Sequence, residues 1–172
     1  MNTAKKIILP SVFTALLLGG QFVLSGISGI EVVTVLLLTF SYKFGVKQGL
    51  LVANAFSLLR CFIFGFFINV LILYLIYYNL FVLVFGFLGK AFQKTYSVKK
   101  HLVIILVAVV MTILFTLLDN IITPLLFSYS LSLRKVYFIS SLYTMIPQII
   151  CTFITVAVIF PILLKVFSYK NI

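Results

Sequence analysis

The chain has 172 residues, 64% of them hydrophobic, with a mean hydropathy of +1.33 and thirteen lysines and arginines against two acids. No soluble domain needs so much apolar surface, which excludes that class and predicts a protein solvated by lipid. The net charge of +11 does not indicate a nucleic-acid partner, because the aromatic residues lie in apolar runs and not among basic ones.

Six apolar stretches run along the chain, and each is a candidate for a membrane-spanning helix, which needs about 20 mostly apolar residues. They cover residues 7–27, 31–44, 48–66, 68–88, 102–127 and 136–164. The first follows Lys5 and Lys6 and is longer than the apolar part of a secretory signal, so we predict that it is retained. We therefore predict an all-α integral membrane protein with six transmembrane helices, forming a single membrane domain over residues 1–172.

The basic residues predict the orientation of these helices. With the N-terminus in the cytoplasm, ten of the thirteen lysines and arginines fall on the cytoplasmic side, and the outer loops hold only Arg134 and Lys135. Such a bias is typical of multi-pass membrane proteins and predicts that both termini are cytoplasmic. His101 lies among lysines at the start of the fifth stretch, where we expect it to be solvated.

Charged side chains inside the predicted helices are expensive, at roughly 2.5–3.5 kcal/mol each on insertion scales, and therefore point to function. Glu31 opens the second helix, Arg60 lies about two turns from the outer end of the third, and Asp119 has a similar depth in the fifth. We predict that they line one outward-facing substrate pocket with further polar groups and aromatic walls. The predicted substrate-binding residues are Glu31, Arg60, Phe64, Tyr74, Asp119, Asn120, Tyr143 and Gln148.

Each of these residues also has a structural interpretation, and the sequence leaves both open. Arg60 can extend to the outer headgroups, Glu31 can stabilise a helix N-terminus, and Arg60 can pair with Asp119 without any ligand. Threonine and serine stripes on the last two helices can bond to their own backbone or to a neighbouring helix. Pro147 and Pro161 predict local breaks in the sixth helix.

Small residues recur at every fourth position of the first helix, at Ser11, Ala15 and Gly19, and so share one face. A stripe of this kind lets two helix backbones approach closely. It either packs the helices of this protein together or docks onto a separate partner.

Sequence motifs for chemistry are missing. The chain contains no Walker A sequence, no H-E-x-x-H and no G-x-S-x-G, and its two carboxylates and one histidine offer few groups for acid–base catalysis. Cys61 and Cys151 have no metal-binding spacing. We therefore predict that the chain is not an enzyme and has neither a metal nor a cofactor.

In the order of its features, the sequence resembles the substrate-binding S components of energy-coupling factor (ECF) transporters over nearly the whole chain. The features are six short helices, the stripe on the first helix and four further segments. These segments are Gln21-Phe22-Val23-Leu24, Ile30-Glu31-Val32-Val33-Thr34, Phe44-Gly45-Val46-Lys47-Gln48-Gly49, and Ile146-Pro147-Gln148 leading to Phe160-Pro161 and a basic tail. In the family the stripe is typically A-x-x-x-A, whereas serine and glycine flank the alanine here.

The resemblance implies a high-affinity subunit that captures a vitamin-like small molecule. It further implies assembly with a transmembrane coupling protein and two cytoplasmic ATPases, which would supply the ATP hydrolysis. A non-transport assembly or scaffold protein that docks through the first helix is the alternative. A membrane enzyme that depends on Glu31 or Asp119 is a third hypothesis.

Overall fold

The computed structural model of the chain describes residues 3–27, 32–92 and 97–169. These residues form six helices and no strand, which confirms the predicted all-α fold. The helices are α1 (Thr3–Leu24), α2 (Val33–Phe44), α3 (Val46–Phe64), α4 (Ile68–Ala91), α5 (Val98–Leu126) and α6 (Leu131–Tyr169).

Five of the six helices have both the length and the hydropathy expected of a membrane span, while α2 is apolar but shorter. Its 12 residues span only about 18 Å, against a hydrocarbon core of about 30 Å. Nine of them are buried among the other helices, so α2 forms part of the protein interior. Gly45, whose φ of +86° suits glycine, ends α2 and lets α3 begin at the next residue.

α6 is longer and more regular than the sequence predicts. It has 39 residues, runs through Pro147 and Pro161, and already begins at Leu131, so that Arg134 and Lys135 are helical. The predicted breaks at these prolines are therefore wrong, and the loop predicted between the fifth and sixth helices is present but shorter than expected, covering residues 127–130. A proline removes one backbone hydrogen bond, and a helix in lipid keeps the remaining ones because no water is present to replace them.

The bundle is organised around α4, which packs against α2, α3 and α5, while α1 lies on α3 and α6 lies on α5 and α2. α4 comes close to neighbouring backbone at two of its glycines, Gly89 beside α2 and Gly86 beside the first residue of α3. A Cβ atom added at Gly89 would overlap the carbonyl oxygen of Tyr42, and one at Gly86 would lie 2.6 Å from Cγ2 of Val46. Small residues therefore set the α2–α4 spacing.

His101 is buried, which contradicts the prediction that it is solvated. α5 begins at Val98, so His101 lies one turn inside the helix and faces α6. Its Nε2 atom is 3.1 Å from the carbonyl oxygen of Val156, and its ring lies 5.7 Å from that of Phe160. The histidine therefore joins α5 to α6.

Candidate functional site

Arg60 lies four residues before the end of α3 and packs against aromatic rings. Its guanidinium carbon is 4.9 Å from the ring centroid of Phe64 and 4.6 Å from that of Tyr74 on α4. Cation–π contacts of this kind stabilise an arginine that is partly removed from water. They do not use its N–H groups, which point outward in the plane of the guanidinium.

Gln21 of α1 completes this group, which we call the Arg60 cluster (Gln21, Arg60, Phe64 and Tyr74). The Nε2 atom of Gln21 donates a hydrogen bond of 3.1 Å to the Tyr74 hydroxyl. The ring of Tyr74 is 7% exposed and stacks on Phe56 at a centroid distance of 6.1 Å. Three helices, α1, α3 and α4, thus hold these side chains together.

Two polar atoms of the Arg60 cluster are buried without a hydrogen-bond partner, namely Nε of Arg60 and Oε1 of Gln21. Leaving a buried polar group unpaired costs about 1–3 kcal/mol, and more when the group is charged. One atom is a donor and the other an acceptor. The Arg60 cluster therefore has unused capacity for a polar molecule.

A second polar group, the Asp119 cluster, joins α4, α5 and α6 (Asn69, Asp119, Asn120, Thr123, Tyr137 and Ser141). Both carboxylate oxygens of Asp119 accept hydrogen bonds of 2.6 Å, Oδ1 from the hydroxyl of Thr123 and Oδ2 from that of Tyr137. Asn69 donates to Thr123 at 3.1 Å. Asn120 donates to Ser141 at 2.7 Å, although its own Oδ1 is buried and unpaired.

The structure thus divides the predicted pocket into two clusters. Arg60 and Asp119 form no ion pair with each other within the described residues, so the structural pairing that the sequence left open is not present. Tyr143 is 77% exposed on α6 and is not part of either cluster, while Gln148 is half-buried on the same helix. Glu31 lies outside the described residues. The assignment of these residues to a substrate stays a prediction.

Several polar residues that form hydrogen bonds between helices were not among the predicted site residues. Gln21 is a lone amide in an apolar helix, and Tyr137 stands near the start of α6, where a tyrosine is ordinary at a membrane interface. The amides of Asn54 on α3 and Asn79 on α4 bond reciprocally at 3.1 and 3.0 Å. Intramembrane amides were the signal that would have found Gln21, Asn54 and Asn79.

The hydroxyl stripes on α5 and α6 behave largely as the structural interpretation predicts. Thr112 donates to its own backbone at Ala108 and contacts the hydroxyl of Thr152 on α6 at 3.0 Å. Thr155 donates to the carbonyl of Cys151 at 2.7 Å. These hydroxyls join helices or satisfy themselves locally, so they do not by themselves indicate a substrate path.

The small stripe of α1 faces outward. Ser11, Ala15 and Gly19 are all exposed, and a Cβ atom added at Gly19 would meet nothing within 4 Å. Ser11 and Ala15 line a groove of about 390 Å³ between α1 and α3, closed on the other side by apolar residues of α3 such as Leu51 and Ala55. The stripe therefore does not serve close packing inside the described bundle.

No family model, no curated protein and no solved structure matches this chain.

Removing the charge of Asp119 should destabilise the protein, because its short bond from Tyr137 ties α5 to α6 and its bond from Thr123 holds the carboxylate in place. We expect Asp119→Asn to lower the free energy of unfolding by about 1–3 kcal/mol, the usual cost of losing a charge-assisted hydrogen bond. Tyr137→Phe should cost a similar amount, and the double variant little more than either one, since both changes remove the same contact. Thermal unfolding in detergent measures this. Costs that simply add would show that the two residues do not act together.

Proposed function

We propose that this chain is the membrane-embedded substrate-capture subunit of an ECF-type importer for a vitamin or related micronutrient. The observation that carries the proposal is the Arg60 cluster, where a buried donor of Arg60 and a buried acceptor of Gln21 both lack partners, although both residues contact Tyr74. A protein in lipid cannot leave such groups to water, so a polar molecule that fills the cluster accounts for their presence.

The proposal extends to partners and orientation. The exposed stripe and its groove offer a place for helices of a transmembrane coupling protein, and the ATP-binding motifs that this chain lacks would come from two cytoplasmic ATPases. The lysine and arginine count supports cytoplasmic termini, with the Arg60 cluster near the outer face. An ECF-type importer would lie in a bacterial or archaeal cell membrane. Thiol labelling of a cysteine placed at Ser130, in a background without Cys61 and Cys151, tests this orientation from outside the cell.

The alternative is an assembly or scaffold protein that docks through α1. The groove suits that function equally well, because close helix packing does not depend on what the complex does. The unpaired atoms of Arg60 and Gln21 favour substrate capture, since a scaffold has no use for them.

The experiment is to purify the chain gently from its native membrane and identify everything that comes with it. We expect one coupling protein, two ATPases and a small molecule. Proteins without any ATPase, and no small molecule, would support the scaffold instead.

A further inference from the structure

The Arg60 cluster also indicates the chemistry of the molecule that fills it. Building on the proposed function, we propose that the substrate is a small, flat aromatic or heteroaromatic carboxylate. Arg60 binds the carboxylate, and Gln21 accepts a hydrogen bond from a donor on the same molecule.

Arg60 has hydrogen-bonding groups that are available to a substrate. Within the described part of the chain Arg60 makes no hydrogen bond, and its contacts are the rings of Phe64 and Tyr74. Its Nε is buried and unpaired. The Nε–H and one terminal N–H lie along one edge of the guanidinium and match the two oxygens of a carboxylate. One carboxylate can therefore accept hydrogen bonds from both of these N–H groups, which have no partner within the described residues.

The positive charge of Arg60 favours a negatively charged substrate. The side chain of Arg60 is half-buried within a bundle that lies in lipid, where an uncompensated cation is unfavourable. Asp119 is the one acidic residue in the part of the chain that the structure describes, and it already accepts hydrogen bonds from Tyr137 and Thr123. A neutral substrate would leave the cation uncompensated, so an anion is the better fit.

The aromatic rings near Arg60 and the amide of Gln21 indicate the shape of the substrate and its second polar contact. Aromatic rings surround the cluster, with Phe22 of α1 lying 6.2 Å from Phe64, and Phe56 stacked on Tyr74. Rings of this kind favour a flat, apolar body over a flexible or strongly hydrated one. Oε1 of Gln21 can only accept, because it is a carbonyl oxygen, so the substrate offers it an N–H or O–H group.

Benzoate and benzamide test the inference, because they share a ring and nearly a shape but differ in charge. The wild-type protein is purified in a non-ionic detergent without phosphate, and its unfolding temperature is measured with each compound at millimolar concentration. We expect benzoate to raise the unfolding temperature and benzamide to raise it little or not at all. Equal shifts with both compounds, or no shift with benzoate, would overturn the assignment, and this comparison needs no variant.

Variants then locate the effect. Arg60→Gln should weaken benzoate binding by about ten- to a hundredfold, the loss expected for a charge-assisted contact. The matched control is Arg134→Gln, which removes an exposed arginine that bonds the Tyr129 carbonyl, and it should bind benzoate as the wild type does. Glu31→Gln tests whether the second acid of the chain already pairs with Arg60, because benzoate should then bind this variant but not the wild type. If benzoate binds only after Glu31 is neutralised, Glu31 is the natural partner of Arg60 and the inference fails.

A lipid phosphate is the other source of an anion for Arg60. Native mass spectrometry of the purified protein distinguishes it. A phospholipid that stays bound to the wild type, leaves in Arg60→Gln and is not displaced by benzoate would contradict the inference. The proposed function can stand or fall separately: a co-purifying molecule without an acidic group would leave substrate capture intact and remove only the carboxylate.

Discussion

Gly89→Ala is expected to prevent the bundle from reaching its folded state. The added methyl would overlap the carbonyl oxygen of Tyr42, which belongs to the backbone of α2. A flexible side chain could move aside, but this oxygen is fixed by a helix that is buried on nearly all sides. Relief requires α2 and α4 to separate along their whole contact, at a cost of about 3 kcal/mol or more. Thermal unfolding and size-exclusion profiles in detergent measure the effect.

Gly19→Ala is the matched control for this change. It adds the same methyl to a helical glycine, but at a position where nothing lies within 4 Å. It should unfold at the wild-type temperature or slightly above, because alanine favours the helix. Equal stability of the two variants would show that the close α2–α4 contact does not exist.

If the proposed importer function holds, Gly19→Leu is expected to abolish assembly with the proposed coupling protein and ATPases while the isolated chain stays folded. A Cβ atom at this exposed position meets nothing within 4 Å, so we expect the fold to tolerate the leucine. The larger side chain would keep the backbone of a partner helix from approaching α1 closely. Co-purification of the ATPases with the tagged chain measures the loss.

Gly26→Leu provides the control for bulk alone. Gly26 is also exposed with nothing within 4 Å, but it lies beyond the end of α1 and outside the stripe. That variant should retain the ATPases. Assembly that survives Gly19→Leu would show that the stripe is not the docking face, and loss of folding would show that it packs inside the protein after all.

Composition and periodicity predict much of this fold, for a physical reason. In lipid every backbone group must be satisfied within a helix, so a long apolar run such as residues 68–88 has little choice of structure. The same rule explains the errors in α6. Proline is a strong break signal in water, yet α6 continues through Pro147 and Pro161 because its other backbone bonds have no competing partner.

The candidate site was harder to predict because depth in the membrane does not determine which side chains meet. The sequence predicts matching depths for Arg60 and Asp119, but in the structure Arg60 contacts Tyr74 of α4, whereas Asp119 accepts a hydrogen bond from Tyr137 of α6. Neighbour relations between helices come from packing details such as the contact at Gly89, and single-sequence patterns do not contain them. The sequence nevertheless predicted that Arg60, Phe64 and Tyr74 lie together, and their rings and guanidinium are in contact.

The most direct test of substrate capture is mass spectrometry of the small molecules released from the purified protein. Wild type and Arg60→Gln are prepared side by side, with Arg134→Gln as the control that also loses a positive charge. We expect one small molecule in roughly equimolar amount with the wild-type chain and with Arg134→Gln. Much less of the same molecule should come with Arg60→Gln. The same small molecules at the same level in all three preparations would contradict a substrate site at Arg60.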